Sequence, residues 1–170
     1  WRMLRLDENP GLDPSVLSQL DRVEILTLSE CEFTSFNIAL PPGLKRLALD
    51  NNNLTTWPAQ LDGRCDSLEF VSMQHNQLTS IPEQIGELTT LDWCDFAYND
   101  VTHVHAGIGQ LKQLTRLSLG NNRGLTTLPP EILELRDDCV LSLSGTGLPD
   151  TMQRIRTVSD LREVWGDLPG

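Results

Sequence analysis

The chain has 170 residues, 39% of them hydrophobic, with a formal net charge of −11, a balance that suits one domain with its own core and does not suggest disorder. The acidity argues against nucleic acid or an anionic membrane as partner, because phosphate binding needs clustered Lys and Arg. No apolar run reaches the roughly 18 residues of a membrane span, and nothing at the N-terminus reads as a signal peptide. A chain that opens on Trp1 rather than Met is expected to be a piece of a longer protein, with room for an address signal outside it.

The predicted elements recur along the chain. The first unit starts at Trp1 and carries Leu4 and Leu6 at its fourth and sixth positions and Asn9 at its ninth. The second starts at Val23, with Leu26, Leu28 and, in the asparagine place, Cys31. Leu44 opens LKRLALDNNNLTTWP, with Leu47, Leu49 and Asn52; Leu68 opens LEFVSMQHNQLTSIP, with Val71, Met73 and Asn76. Leu91 opens a unit with Cys94, Phe96 and Asn99, and Leu114 opens LTRLSLGNNRGLTTLP, with Leu117, Leu119 and Asn122. A weaker unit from Asp138 carries Leu141, Leu143 and Thr146. By subtraction, successive starts lie 22, 21, 24, 23, 23 and 24 residues apart. The pattern LxxLxLxxNxL at a period of 20 to 29 residues is that of a leucine-rich repeat.

Alternation at positions four and six predicts a short strand with one buried face. A buried amide at position nine can pair with the backbone of successive turns, which predicts an asparagine ladder of Asn9, Asn52, Asn76, Asn99 and Asn122. After each strand, segments such as PAQLDGRC, PEQIGEL, HAGIGQL and PEILEL predict a helical or 3₁₀ turn opened by Pro. The expected fold is therefore an α/β solenoid: about six to seven repeats of 21–24 residues, curved so that parallel strands line the concave face and the short turns the convex one. Burying roughly six aliphatic side chains per unit, at about 1.5–3 kcal/mol each, offsets the chain entropy. From Leu148 the template stops. Met152, Ile155, Val158 and Leu161 recur every three residues and predict a helix laid over the last repeat, so repeats span 1–148 and a C-terminal helical cap 149–170. Trp1 has nothing before it to cover the first unit, which leaves either a missing N-terminal cap or an open edge.

Outward positions on the concave face are free of packing duties. Position three reads Met3, Ile25, Arg46, Phe70, Trp93, Arg116 and Val140. Phe70 and Trp93 fall on adjacent strands about 4.8 Å apart, framed by Arg46 and Arg116, the composition of an interface hot spot. His75 and Tyr98 join them from position eight. Positions five and seven supply mostly small residues, Ala48, Ser72, Ala97, Ser118 and Gly120, together with Asp50 and Asp95. The candidate partner-binding residues are thus Ile25, Arg46, Phe70, His75, Trp93, Asp95, Tyr98 and Arg116. The competing reading is that neighbouring aromatics only stabilise the sheet.

Chemistry finds little to rest on. Cys31, Cys65, Cys94 and Cys139 show neither zinc spacing nor a disulfide framework. Cys94 takes an inward strand position and reads as a small buried hydrophobe rather than a nucleophile; Cys65 stands where other units place a core leucine, and Cys139 sits at the edge of the last strand. His103 and His105 form an HxH without a third ligand, so they read as surface histidines and no metal is expected. Asp137-Asp138 and Asp7-Glu8 read as a solvated acidic edge. No cofactor and no catalytic residue is expected in this segment, and an enzyme with Cys94 as nucleophile is the weakest alternative.

Units with Leu-Pro, Trp-Pro or Ile-Pro after the asparagine loop, and the phrase PEQIGELTTL, resemble the leucine-rich repeats of secreted bacterial effectors, including those with a C-terminal ubiquitin ligase domain. The end, LPPEILELRDDCVLSLSGTGLPDTMQRI, is similar to the closing repeat of that ligase family, where a cysteine-led strand runs into a capping helix, although Thr146-Gly147 replaces the usual Asn-Pro. The family's catalytic Cys-x-Asp motif lies in a separate domain, and none of the four cysteines here has Asp two positions later. The resemblance implies target recognition by a monomeric segment that binds a protein, a host protein in the effector setting, after secretion into the host cytoplasm. The alternative is a free-standing scaffold or regulator in the bacterial cytoplasm.

Overall fold

A computed structural model describes residues 2–166; Trp1, assigned above to position one of the first unit, and cap residues 167–170 lie outside the described residues. Among the described residues nine short strands follow one another: β1 (Met3–Arg5), β2 (Ile25–Thr27), β3 (Arg46–Ala48), β4 (Phe70–Ser72), β5 (Ser80–Ile81), β6 (Trp93–Asp95), β7 (His103–Val104), β8 (Arg116–Ser118) and β9 (Val140–Ser142). Seven of them form one parallel sheet in the order β1-β2-β3-β4-β6-β8-β9, while β5 pairs with β7 on the rising side of two units.

The register follows the repeat position by position. Met3, Ile25, Arg46, Phe70, Trp93, Arg116 and Val140 stand opposite one another across the sheet, and so do the position-four residues from Leu4 to Leu141. Because strand side chains alternate faces, putting position four inward sends positions three and five outward. Leu26, Leu47, Val71, Cys94 and Leu117 are buried with Leu28, Leu49, Met73, Phe96 and Leu119 from position six, in one core that runs the length of the stack.

The asparagines close the loops behind the strands. The Asn99 amide donates to Met73 O (2.9 Å) of the preceding unit and to its own Phe96 O (3.1 Å), and its Oδ1 accepts from Leu78 N–H (2.9 Å). Asn52, Asn76 and Asn122 repeat this bridge between adjacent units. Cys31 substitutes its thiol, which donates to Leu6 O (3.2 Å). Asn9 differs: it is exposed, and its amide donates to Leu6 O and Asp7 O of its own loop. No earlier unit is present to receive it among the described residues.

Four units carry 3₁₀ turns on the convex side, at Pro14–Gln19, Glu83–Glu87, Ala106–Gln110 and Pro130–Glu134. PAQLDGRC does not. Its Asp62 carboxylate accepts from Arg64 N–H at 3.0 Å and from the Arg64 guanidinium, an aspartate turn that competes with helical pairing. In the unit before it, Phe33 and Phe36 pack edge to face at 5.7 Å and are buried. Where 3₁₀ turns do stack, they approach closely: a Cβ on Gly109 would lie 2.6 Å from Glu131 O.

The cap is not the single helix that the three-residue stripe predicts. Two helices form, α1 (Asp150–Gln153) and α2 (Val158–Trp165), and the segment between them pairs antiparallel with β9 through Val140 and Thr157. Leu141 N–H donates to Arg156 O (2.8 Å) and Val158 N–H to Cys139 O (3.0 Å). The physical reason is the edge: β9 would otherwise present a row of unpaired backbone groups. Thr157 then caps α2, its hydroxyl accepting from Asp160 N–H while the Asp160 carboxylate accepts from Thr157 N–H. Met152, Val158 and Leu161 are buried on the last unit, and Cys139, placed by sequence at an edge, is fully covered. No helix among the described residues is long and apolar enough to cross a membrane.

Candidate protein-binding surface

The outward row at position three brings four of the predicted residues into one line. The Arg46 guanidinium lies 4.4 Å from the Phe70 ring centre, Phe70 meets Trp93 edge to face at 5.1 Å, and the Arg116 guanidinium lies 5.1 Å from the Trp93 ring. Stacking on an aromatic face holds a guanidinium in place while leaving its in-plane N–H groups pointing away. Phe70 and Trp93 are half-buried by this packing; Arg46 and Arg116 remain exposed. Ile25 extends the row toward the N-terminal end, half-buried. Beyond Trp93, a shallow hollow of about 230 Å³ is lined by Trp93, Asp95, Arg116, Leu117, Ser118, Val140 and Ser142.

A second line stands beside the first. His75 and Tyr98 stack almost parallel, 4.2 Å apart with 10° between the rings, and both are exposed. The backbone explains their outward posture. Every position-eight residue from Glu8 through Glu30, Asn51, His75, Tyr98 and Asn121 to Gly145 has φ between 53° and 75°. This left-handed turn ends each strand and swings the side chain onto the rim of the face. Asn and Gly accept it readily, whereas Tyr98 and Glu30 hold it at a cost on the order of 1 kcal/mol.

Asp95 is less free than the others. Its Oδ1 accepts from Ala97 N–H (3.1 Å) and its Oδ2 from the Gln74 amide (2.8 Å). Asp50 takes the Ser72 hydroxyl at 2.5 Å and Gln74 N–H at 2.8 Å, and Asp7 takes the Thr27 hydroxyl and Ser29 N–H in the same way. Burial pushes the Asp50 and Asp95 carboxyls above the usual carboxylate range, against the pull of these donors. Sequence reasoning missed these contacts; the signal for Asp7 and Asp50 was Asp at position seven followed by a hydroxyl at position five of the next unit, whereas Asp95 stands at position five and takes the position-seven Gln74 of the unit before.

The remaining candidates fall away from this surface. Cys94 is completely buried, and desolvation pushes its thiol well above the ordinary range; burial pushes Cys139 up to about 12. A thiolate nucleophile needs the opposite environment. Cys65 is half-buried against the core, its thiol donating to Gln60 O. His105 caps the 3₁₀ turn that follows it, its Nδ1 accepting from Gly107 N–H (3.0 Å), while His103 lies exposed on β7. No cluster of three metal-ligating side chains occurs among the described residues.

Residues 67–88 match the family model described as Leucine Rich Repeat. The structure of a Leptospira interrogans leucine-rich-repeat protein superposes with a TM-score of 0.65 and 29% identity over 76% of this chain and 33% of that one. Internalin C2 from Listeria monocytogenes superposes with a TM-score of 0.73 over 89% of this chain and 65% of that one, at 22% identity.

The chain is a leucine-rich-repeat solenoid.

Among curated proteins, the solenoid is 33% identical to human Podocan-like protein 1 over 118 residues, 68% of this chain and 23% of that protein. Rat lumican is 30% identical over 135 residues, 77% of this chain and 38% of that protein. The solenoid thus spans less than half the length of these relatives. The similarity runs to leucine-rich-repeat proteins.

Proposed function

We propose that the solenoid recognises a protein partner through its concave face, at a site centred on Arg46, Phe70, Trp93 and Arg116 with His75 and Tyr98 beside them. The supporting observation is the stacked row itself: two aromatics and two arginines locked in line on a face that has no core to cover. Aromatic and Arg side chains held in fixed rotamers lose little entropy on binding, which is why such residues dominate interface energetics. Sheet stabilisation alone would account for the aromatic pair, at about 0.2–1 kcal/mol, but not for the exposed arginines at both ends.

The test is affinity capture from host-cell lysate with the intact segment, followed by titration of the purified partner. Trp93→Ala and Arg46→Ala are expected to weaken that partner's binding while leaving the thermal melt unchanged. If every captured partner binds both variants at wild-type strength, the concave row is not the site.

The wider setting proposed for the solenoid is the targeting segment of a secreted bacterial effector, acting as a monomer on a host protein. The Leu-Pro phrasing of its units and its likeness to the Leptospira repeat protein support this. The full gene decides between readings: a further domain with a Cys-x-Asp motif fits a ubiquitin ligase, and a stop soon after Gly170 fits a free-standing bacterial scaffold.

A further inference from the structure

Arg2, Lys45, Arg64, Lys112, Arg136 and Arg162 each pair with a carboxylate of the chain. Arg5, Arg22, Arg46, Arg116, Arg123, Arg154 and Arg156 pair with none among the described residues, although the protein carries a net charge of −11; of these, Arg46 and Arg116 are stacked on aromatic rings, and neither of their side chains donates a hydrogen bond there. Each guanidinium has five N–H donors in a rigid fork suited to a carboxylate. The nearby acids do not draw these forks in: Asp50 and Asp95 are held by Ser72, Gln74 and Ala97 instead. Two oriented cations without counter-ions thus bracket an aromatic pair.

Their separation is fixed by the sheet. Arg46 and Arg116 lie on β3 and β8, with β4 and β6 between them, so three strand spacings of about 4.8 Å put them roughly 14 Å apart. An extended peptide rises about 3.3 Å per residue, and its alternate side chains share one face. Residues i and i+4 of such a peptide are therefore about 13 Å apart, and residue i+2 falls midway, over Phe70 and Trp93.

We infer that the partner presents an extended segment lying across the strands, with an acidic residue, an apolar residue and a second acidic residue at alternate positions. The acids meet Arg46 and Arg116 in charge-assisted hydrogen bonds, and the apolar side chain rests on the aromatic pair. The two directions of the segment are equivalent in this chemistry. The inference rests on the concave-face reading above.

The probe is a fluorescently labelled peptide of serine and glycine carrying glutamate, leucine and glutamate at alternate positions, titrated by anisotropy against the intact segment. Saturable binding is expected, reduced about tenfold or more when either glutamate becomes glutamine, the size of one charge-assisted hydrogen bond. Arg46→Gln and Arg116→Gln should each reduce it similarly. Once one arginine is replaced, neither single-glutamine peptide should lose anything further, because either direction of the segment brings its remaining glutamate to the remaining arginine. Moving the glutamates next to each other should abolish the two-site effect.

Absence of saturable binding at millimolar peptide, or equal binding of the glutamine peptide, overturns the inference. A protein partner that depends on Trp93 but is indifferent to Arg46→Gln and Arg116→Gln would also overturn it while leaving the concave-face reading standing. Indifference of the partner to Trp93→Ala as well would remove both.

Discussion

At the scale of single residues, the same amino acid does different work depending on its neighbours. Asn99 joins two units and is almost fully buried, with 6% of its surface exposed. Removing its amide strands Leu78 N–H away from water and leaves Met73 O and Phe96 O with one donor each, the amides of Asn76 and Asn122. Asn99→Ala is therefore expected to cost about 2–4 kcal/mol in urea unfolding, since buried unsatisfied groups carry their full desolvation penalty. Asn9→Ala, at an exposed place bonded only within its own loop, should stay within about 1 kcal/mol of wild type by the same measurement. Both positions read alike in sequence. What distinguishes them among the described residues is whether the bond reaches a preceding unit, and that is a property of the stack rather than of the motif.

At the scale of elements, stacking distance decides what a turn can tolerate. Gly109 is buried where one 3₁₀ turn meets the next, with Glu131 O in the space a Cβ would need. Gly109→Ala must push the turns apart and is expected to lower stability by about 1–3 kcal/mol in urea unfolding. Gly43→Ala, with open space around its Cβ direction, should be neutral or slightly stabilising. The strands of the main sheet are legible in the amino-acid sequence, because leucine at positions four and six leaves only one way to bury both in a stack. The short sheet of Ser80–Ile81 and His103–Val104 is not: two residues give no alternation to read. The cap misleads for a related reason. Residues 152, 155, 158 and 161 do point inward, Ile155 only partly, but the backbone between them is diverted to satisfy β9, a demand that comes from a partner distant in sequence.

At the scale of the whole molecule, acidity is unevenly held. Asp50 has a folded-state pKa raised by burial above its ordinary 3.8, so the folded protein binds a proton more readily than the unfolded chain. Stability from this group then falls as pH rises from 3.8 through the raised value, the reverse of an ion-paired carboxylate. Asp50→Asn keeps an acceptor for Ser72 and Gln74 and removes the titration. The variant is expected to match or exceed wild type in thermal melting at pH 7 and to lose ground relative to it as pH drops toward about 4. A difference that stays constant with pH would show that Asp50 does not titrate in this window. The position-three row is also legible in sequence, as outward residues of matching register, whereas its stacking geometry and the commitment of Asp95 to Gln74 depend on side-chain packing between units. The left-handed column at position eight bears on any attempt at redesign. Averaging the repeats into an idealised unit would put Asn or Gly at every place in that column, relieving Tyr98 and Glu30 and yielding a sturdier protein. It would also erase the His75–Tyr98 stack. Here the departures from the consensus, which a designer would correct first, are the marks that make one repeat array different from another.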